Sequence, residues 1–244
     1  FRSKISAGRW AESAVDKVRD ILAQGKTPLL VGGTGLYFQA LLRGMAEIPP
    51  VDPQLTAAIT ARVDAQGAPA LHAELAQIDP AYAAKIHPND RQRIIRALEV
   101  CQSTGRSFTW WHSNSMSTPL CVGPLLTLDA PLAWLEPRLA RRLDLMLAGG
   151  ALDEARAAMR HCADPAAPGW SGIGCAEALA HLQGRLSLED CRSLWLRNTR
   201  AYAKRQLTWF RARPEAQWLP PDDPAAVVEA ACRFWQKARS SYNS

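Results

Sequence analysis

The residues whose types and spacing could support chemistry stand together between Thr27 and Gly44. A short apolar run, Pro28–Val31, leads into the glycine-rich stretch Gly32–Gly35, and an amphipathic helical pattern follows directly. This order predicts a buried strand, a tight turn and the start of a helix. Backbone N–H groups at a helix start can bind an anion, and Thr34 adds a hydroxyl donor there. The stretch is a candidate phosphate or diphosphate site; the alternative is that its glycines serve only a tight turn.

A long helical segment, Leu188–Arg213, carries clustered basic and aromatic side chains. At 3.6-residue periodicity, one narrow stripe contains Arg197, Arg200, Lys204 and Arg211. A second line contains Tyr202, Arg205 and Trp209. A cationic ridge edged by aromatic rings suits backbone phosphates and an unstacked base, which points to RNA. The alternative is a solvated basic face on a surface helix.

Two shorter helical segments also present arginines. After Asp90, which is a plausible N-cap, Arg93 and Arg96 are i, i+3 neighbours with Gln92 beside them. This face is a candidate RNA contact, or simply an exposed arginine-rich surface.

Arg142 belongs to the second of these segments, Arg138–Leu147. A guanidinium here can bind an anionic group. The alternative is a surface ion pair with Asp144 or Asp153.

Composition limits the possible classes of protein. The chain has 244 residues, enough for one large or two small domains, and its 48% hydrophobic content can form a core. No apolar run approaches the roughly 20 residues of a membrane span, and the polar first residues suggest no secretory signal, so we expect a cytoplasmic protein without a membrane partner. The six cysteines lack metal-site spacing. A net charge of +6 favours a polyanionic partner.

The order of elements predicts an α/β protein. A helix at Trp10–Leu22, then the strand, turn and helix, fits a parallel sheet with crossover helices. Prolines from Pro49 mark a boundary, and the chain reads as helices only from Pro53 to about Gly105, within a helical insertion at 49–116. Leu120–Leu128 is a candidate strand that returns the chain to the sheet, and the rest reads as helical. We therefore expect core α/β parts at 1–48 and 117–244, with a helical insertion between them.

Four motifs, in order along the chain, resemble the tRNA dimethylallyltransferase (tRNA isopentenyltransferase) family. They are VGGTGLY with the later PPVDP, HPNDRQRIIRALEV at His87–Val100, RLARRLDLML at Arg138–Leu147, and TRAYAKRQLTWFR at Thr199–Arg211. The resemblance implies transfer of a dimethylallyl group from its diphosphate to the exocyclic amine of the adenine 3′ of the anticodon. It also implies a P-loop-kinase-like parallel sheet whose N-terminal part is missing here, an all-helical insertion that binds tRNA, and a helical C-terminal region.

The resemblance also assigns roles to residues. Gly32, Gly33, Thr34 and Arg142 would bind the diphosphate, with Thr34 and Arg142 acting in catalysis. Contacts to the tRNA anticodon arm would come from Gln92, Arg93, Arg96, Lys204, Arg205, Gln206, Trp209 and Arg211. ATP-type nucleotide binding and Mg²⁺, held through the diphosphate and the missing P-loop region, are implied as well, in a monomer. We expect Thr34 and the Lys204–Arg211 segment to open onto one cleft.

The sequence departs from the family pattern in places. No P-loop motif occurs in these residues, and neither does the Asp-Ser pair that holds the family's general base, so we expect the 244 residues alone to be inactive. Cys175 and Ala176 replace a tyrosine and a basic or acidic residue, Ser171 stands at a polar or basic tRNA contact, and Thr56 stands where a basic residue is common. The alternatives are a free-nucleotide (adenylate) isopentenyltransferase, a P-loop nucleotide-kinase relative and an inactive tRNA-binding fragment.

Overall fold

The structure, a computed structural model, describes residues 5–115 and 118–242. The chain divides into two compact units, one of residues 1–42 and 121–244 and the other of residues 43–120. The second unit encloses the whole range 49–116 that the sequence marks as the helical insertion. None of the helices in the described residues is long and apolar enough to cross a membrane.

The elements in chain order are twelve helices and two strands within the described residues. They are α1 (Ala7–Ala23), α2 (Gly35–Arg43), α3 (Pro53–Gln66), α4 (Ala68–Ile78), α5 (Pro80–Ala83), α6 (Arg91–Thr104), α7 (Phe108–Asn114), β1 (Leu125–Leu128), α8 (Leu132–Ala148), α9 (Ala151–His161), α10 (Cys175–Leu182), α11 (Leu188–Arg211), β2 (Ala216–Leu219) and α12 (Pro224–Tyr242). A 3-10 turn, Pro168–Ser171, precedes α10.

The small sheet of the first unit is parallel, as expected. β1 pairs with β2 in the register Leu125 to Ala216 through Leu128 to Leu219, and α8 to α11 connect the two strands. β1 lies within the expected strand Leu120–Leu128. β2 was not expected, because its four residues, AQWL, alternate too briefly to stand out beside the prolines that follow.

The prediction of a buried strand at Pro28–Val31 is wrong for the described structure. These residues are not in a strand, and Leu29 and Val31 are 81% and 88% exposed. A strand needs a neighbouring backbone for its hydrogen bonds, and in the described residues β1 and β2 pair only with each other. Within the described residues the apolar run therefore has no strand partner.

The first helices confirm the predicted order but not every face. α1 covers Trp10–Leu22 and has Ser6 as its N-cap. Its buried side chains are Ala7, Ala11 and Val15, which pack with Ala40 and Leu41 of α2. Helical periodicity alone would also allow a face through Ala14, Val18 and Leu22, and contact with α2 selects the neighbouring face instead.

The helices of the second unit form their own core. The stripe Ile59–Val63 on α3 packs with Leu71 and Leu75 on α4 and with the buried side of α6. Asp90 accepts a hydrogen bond from the Arg93 N–H, which confirms it as the N-cap of α6. Gly105 ends the helix with φ of 66°, in the left-handed region that favours glycine.

A buried carboxylate joins α7 to the rest of this unit. Asp79, between α4 and α5, accepts hydrogen bonds from the Thr109 N–H at 2.8 Å and the Thr109 hydroxyl at 2.7 Å. Its side chain also caps α5 through the Tyr82 N–H. Because Asp79 is only 3% exposed, each bond satisfies a group that water cannot reach.

We expect Thr109→Val to destabilise the second unit by about 1–2 kcal/mol, because it removes one hydrogen bond to a buried carboxylate and keeps the side-chain shape. The matched control is Thr60→Val, since the Thr60 hydroxyl bonds only to a carbonyl of its own helix, that of Thr56. Urea unfolding followed by far-UV circular dichroism measures both changes. Equal effects of the two variants would contradict this assignment of Asp79.

Candidate functional site

The glycine-rich turn lies directly against α11. The Thr34 hydroxyl is 3.2 Å from the Tyr202 hydroxyl, within hydrogen-bonding distance, and Thr34 is exposed. Its carbonyl accepts the N–H of Tyr37 at 2.9 Å, so α2 begins at the predicted place. The sequence therefore located the turn and its hydroxyl correctly, while Tyr202 as the partner of Thr34 was not anticipated.

Two glycines of the turn are needed for this close approach. A Cβ at Gly33 would lie 2.7 Å from Cδ of Gln206, and a Cβ at Gly35 would lie 2.5 Å from Cε2 of Trp209. Gly32, in contrast, faces only Phe38 at 3.9 Å, an ordinary contact. Gln206 and Trp209, both predicted tRNA contacts, thus form the surface on which the turn rests.

The rest of α2 contacts the C-terminal end of α11 and Arg213, which follows it. Arg213 donates a hydrogen bond from Nη2 to Gln39 Oε1 at 2.8 Å, and its guanidinium lies 4.2 Å from the Trp209 ring centroid. Phe38 and Phe210 add a tilted ring contact with centroids 6.3 Å apart. Sequence reasoning gave Arg213 no role, because no periodic pattern reports a contact across about 170 residues.

The predicted cationic stripe lies on a different side of α11 from the turn. Lys204 is two residues from both Tyr202 and Gln206, which places it about 160° around the helix from each. Arg211 is related to Trp209 in the same way. Of the segment expected to share a cleft with Thr34, Gln206 and Trp209 thus pack against the turn, whereas Lys204 and Arg211 lie on the other side of α11.

Several arginines of α11 make contacts within the first unit. Arg200 pairs with Glu136 of α8 at 3.0 Å. Arg211 approaches Asp129 at 3.8 Å and lies 6.0 Å from the Trp218 ring centroid, so it borders the sheet. Arg205 remains on the side of the turn, with its guanidinium 5.6 Å from the Tyr202 ring centroid. Of the predicted basic residues of α11, Arg205 is the one that lies on the same side of the helix as Thr34.

Arg142 is exposed on α8 and has no hydrogen bond or ion pair within the described residues. The alternative that it pairs with Asp144 or Asp153 is wrong, because Asp144 binds Arg192 at 2.6 and 2.8 Å and Asp153 binds Arg156. The hydrogen bond from Arg192 is the main reason that the pKa of Asp144 lies below its usual value.

The ion pairs between α8 and α11 show where Arg142 lies along the helix axis relative to the residues of α11. Asp144 meets Arg192 and Glu136 meets Arg200, so the helices run antiparallel and Arg142 lies level with the residues near 194. At 1.5 Å per residue this is about 12 Å along the axis from Tyr202. The structure therefore does not place Arg142 in contact with Thr34.

The basic residues of α6 have acidic partners within their own unit. Arg93 pairs with Asp90, and Arg96 binds Glu99 at 2.6 Å, while Gln92 is exposed. Glu99 is 6% exposed and also accepts the Thr56 hydroxyl at 2.6 Å. Thr56, a departure from the family pattern, thus supports the carboxylate that holds Arg96.

Charge is distributed unequally between the two units. Residues 43–120 contain seven basic and seven acidic residues, so their formal charges cancel. Residues 191–213 contain seven basic residues and no acidic one. Attraction to a polyanion therefore concentrates on α11 rather than on the helices of the second unit.

A second glycine turn also packs against α11, next to Cys175 and Ala176, which depart from the family pattern. Gly174 has φ of 92°, and a Cβ there would lie 2.7 Å from Trp195 Nε1. Glu177, 4% exposed, accepts the Gly174 N–H and the Asn198 side-chain amide, each at 2.6 Å. Desolvation and the nearby Glu177 charge raise the pKa of the Cys175 thiol, which disfavours its thiolate form.

No group of three or more His, Cys, Asp or Glu side chains is placed to hold a metal ion in the parts of the chain that the structure describes. The candidate site thus consists of a hydroxyl-bearing glycine turn, an aromatic and arginine-rich helix, and a second glycine turn on the same helix.

This geometry describes a mostly helical α/β protein in which an exposed hydroxyl at a helix start lies against an arginine-rich helix. Residues 1–213 match the model of the family described as IPP transferase. The match covers most of the chain, and the chain belongs to this family.

The relatives carry consistent names. The chain is 72% identical over 228 residues to a tRNA dimethylallyltransferase of Desulfovibrio desulfuricans, covering 93% of this chain and 71% of the relative. It is 53% identical over 246 residues to a tRNA dimethylallyltransferase of Nitratidesulfovibrio vulgaris, covering 95% and 73%.

Solved structures agree with this membership. The full-length tRNA isopentenylpyrophosphate transferase from Bacillus halodurans aligns with a TM-score of 0.63 at 30% identity, covering 99% of this chain and 77% of the other. A eukaryotic dimethylallyltransferase acting on tRNA aligns with a TM-score of 0.75 at 25% identity, covering 98% and 63%.

We expect Gly35→Ala to destabilise the first unit by about 1–3 kcal/mol, since its methyl group would overlap the rigid Trp209 ring. Gly33→Ala should cost less, because the Gln206 side chain can rotate away. Gly32→Ala is the matched control, with room for a Cβ. Thermal unfolding of the three variants provides the measurement, and a loss at Gly32 as large as at Gly35 would argue against this packing.

We expect Asn198→Ala to destabilise the protein by about 1–3 kcal/mol, because it leaves one oxygen of the buried Glu177 without its amide donor. Asn114→Ala is the control, since that exposed amide bonds only to a carbonyl of its own helix. Denaturant unfolding compares the two. If Asn198→Ala proves as harmless as its control, Glu177 does not depend on this contact.

Proposed function

We propose that this chain takes part in the transfer of a dimethylallyl group from dimethylallyl diphosphate to the exocyclic amine of the adenine 3′ of the anticodon in tRNA. Family membership and the names of the relatives support this proposal. The observation that carries it is the Thr34 hydroxyl, exposed at the start of α2 and held against the aromatic side of α11.

The chemistry of the transfer fits these groups. The bond between C1 of the dimethylallyl group and the diphosphate oxygen breaks, and its electron pair remains on the diphosphate. C1 bonds to the amine nitrogen, which gives up a proton. Negative charge thus grows on the diphosphate, where the Thr34 hydroxyl, the free N–H groups of α2 and the unpaired Arg142 guanidinium would stabilise it. We propose no general base within these residues.

The RNA would be held mainly by α11. The target adenine must leave its stack before its amine can be attacked, and Trp209 with Arg205 offers an aromatic and cationic surface beside Thr34. Lys204, on the other side of the helix, suits a backbone phosphate. We propose Gln92, Arg93 and Arg96 as weaker contacts, because both arginines already have carboxylate partners.

The remaining parts of the proposal concern fold and surroundings. We propose a P-loop-kinase-like parallel sheet, ATP-type nucleotide binding in that fold, and a monomer in the cytoplasm, with the helical segment 49–116 as a tRNA-binding insertion between core parts at 1–48 and 117–244. Mg²⁺ would bind through the diphosphate, and we assign it no side-chain ligand here, since the described residues offer no acidic cluster.

The density of basic residues on α11 favours tRNA over a free nucleotide as the acceptor. The decisive test incubates the natural protein that contains these residues with dimethylallyl diphosphate and either tRNA or adenylate. Modification of tRNA alone is expected, and modification of adenylate alone would overturn the proposal. Assaying the 244 residues by themselves tests the prediction that they are inactive alone.

We expect Thr34→Ala to lower turnover about a hundredfold, as removal of one transition-state donor does, and to leave tRNA binding unchanged. Arg142→Ala should have a comparable effect if its guanidinium reaches the diphosphate. Single-turnover transfer to tRNA, with filter binding on the same samples, separates the two steps. Unchanged turnover in Arg142→Ala would remove that residue from the site.

We expect Arg205→Ala and Lys204→Ala to weaken tRNA binding and to reduce its salt dependence by about one released counterion each. The matched control is Lys17→Ala on α1, an exposed lysine paired with Asp20. Filter binding across a salt series gives the slopes. Slopes that match wild type in both variants would show that α11 does not contact the phosphates.

A further inference from the structure

The contact between Thr34 and Tyr202 joins two hydroxyl groups that are 168 positions apart in the sequence. Each hydroxyl can donate only one hydrogen bond, so the direction of this bond decides what Thr34 can do. If Thr34 donates to Tyr202, its proton is used. If Tyr202 donates to Thr34 Oγ1, the Thr34 proton is free for a ligand.

An anionic ligand selects between these two directions. An oxygen of a diphosphate accepts hydrogen bonds and cannot donate one when it is ionised, so it requires the Thr34 proton. Tyr202 must then be the donor to Thr34. The phenol is also the more acidic of the two hydroxyls, which makes it the better donor.

The position of Tyr202 is fixed by its own surroundings. It lies on α11 one turn before Gln206, against which Gly33 packs, and Arg205 lies with its guanidinium 5.6 Å from the ring centroid. One turn earlier, Asn198 binds the buried Glu177. The phenol therefore stands on a section of α11 that is anchored on both sides, as a positioning group requires.

We propose that Tyr202 is a positioning residue, which orients the Thr34 hydroxyl so that its proton points to the diphosphate of the substrate. This inference rests on the proposed function and goes beyond it, since it assigns the direction of a hydrogen bond and adds a residue that does not itself touch the reacting atoms. Tyr202 would act on diphosphate binding and departure, and have little effect on tRNA binding.

The test compares Tyr202→Phe, Thr34→Ala and the double variant in the natural protein, with dimethylallyl diphosphate and tRNA as substrates. We expect Tyr202→Phe to lower kcat/KM for dimethylallyl diphosphate roughly 5- to 20-fold, the size of one lost hydrogen bond to a charged site, with tRNA affinity unchanged. In the Thr34→Ala background the same change should have no further effect, because Tyr202 then has no hydroxyl to orient.

Tyr37→Phe is the matched control, since the Tyr37 ring stacks on Trp10 with centroids 4.7 Å apart and its hydroxyl has no partner in the described residues. It should transfer at the wild-type rate. An equal loss from Tyr202→Phe with and without the Thr34 hydroxyl, or no loss at all, would overturn the proposal. If the wild-type protein transfers no dimethylallyl group, the proposed function itself fails, which is a separate outcome.

Discussion

The organisation of the candidate site depends on the absence of side chains at two positions. Gly33 and Gly35 let the turn before α2 approach Gln206 and Trp209 on α11 more closely than any residue with a Cβ could. This approach brings Thr34 within hydrogen-bonding distance of Tyr202 and lines up α2 with the end of α11. Gly33 and Gly35 thus have two effects: they leave the backbone N–H groups at the start of α2 uncovered by side chains, and they set the position of these groups against α11.

The electrostatics of α11 follow from what each side of the helix contacts. One side carries arginines that bind Asp144 and Glu136 of α8, and these pairs join the two helices. Another side holds the two glycine turns. Lys204 and Arg197 have no acidic partner in the described residues and are exposed, so a basic surface remains for a polyanion after the internal pairs are formed.

The sequence predicted the features that depend on neighbouring residues, such as where a helix begins. Asp90, the predicted N-cap, does begin α6, and Gly105 ends it, because capping depends on a few neighbouring residues. The sequence placed a helical segment at Arg138–Leu147, whereas α8 begins at Leu132 and includes Pro137, since packing against α11 extends the helix. The strand at Pro28–Val31 failed because strand formation depends on a partner that periodicity cannot supply.

Contacts between residues far apart in the sequence were not predicted. The turn and α11 lie together as the sequence predicted, yet Lys204 and Arg211 do not lie on the side of α11 that meets the turn. Tyr202, Asn198 and Arg213 were missed as contact residues for the same reason. A helical pattern gives the angular spacing of side chains, whereas their partners come from the packing of whole elements.

The parallel pairing of β1 with β2 has a consequence for biosynthesis. About ninety residues separate the two strands, so the ribosome must deliver α8 to α11 before β1 and β2 can pair. The second unit is continuous in sequence from residue 43 to 120 and can reach its native packing while the remainder is still being translated. Until β2 has been synthesised, the apolar sides of β1 and α8 lack their native partners and can associate non-natively. A molecular chaperone would therefore bind the nascent chain mainly during this interval.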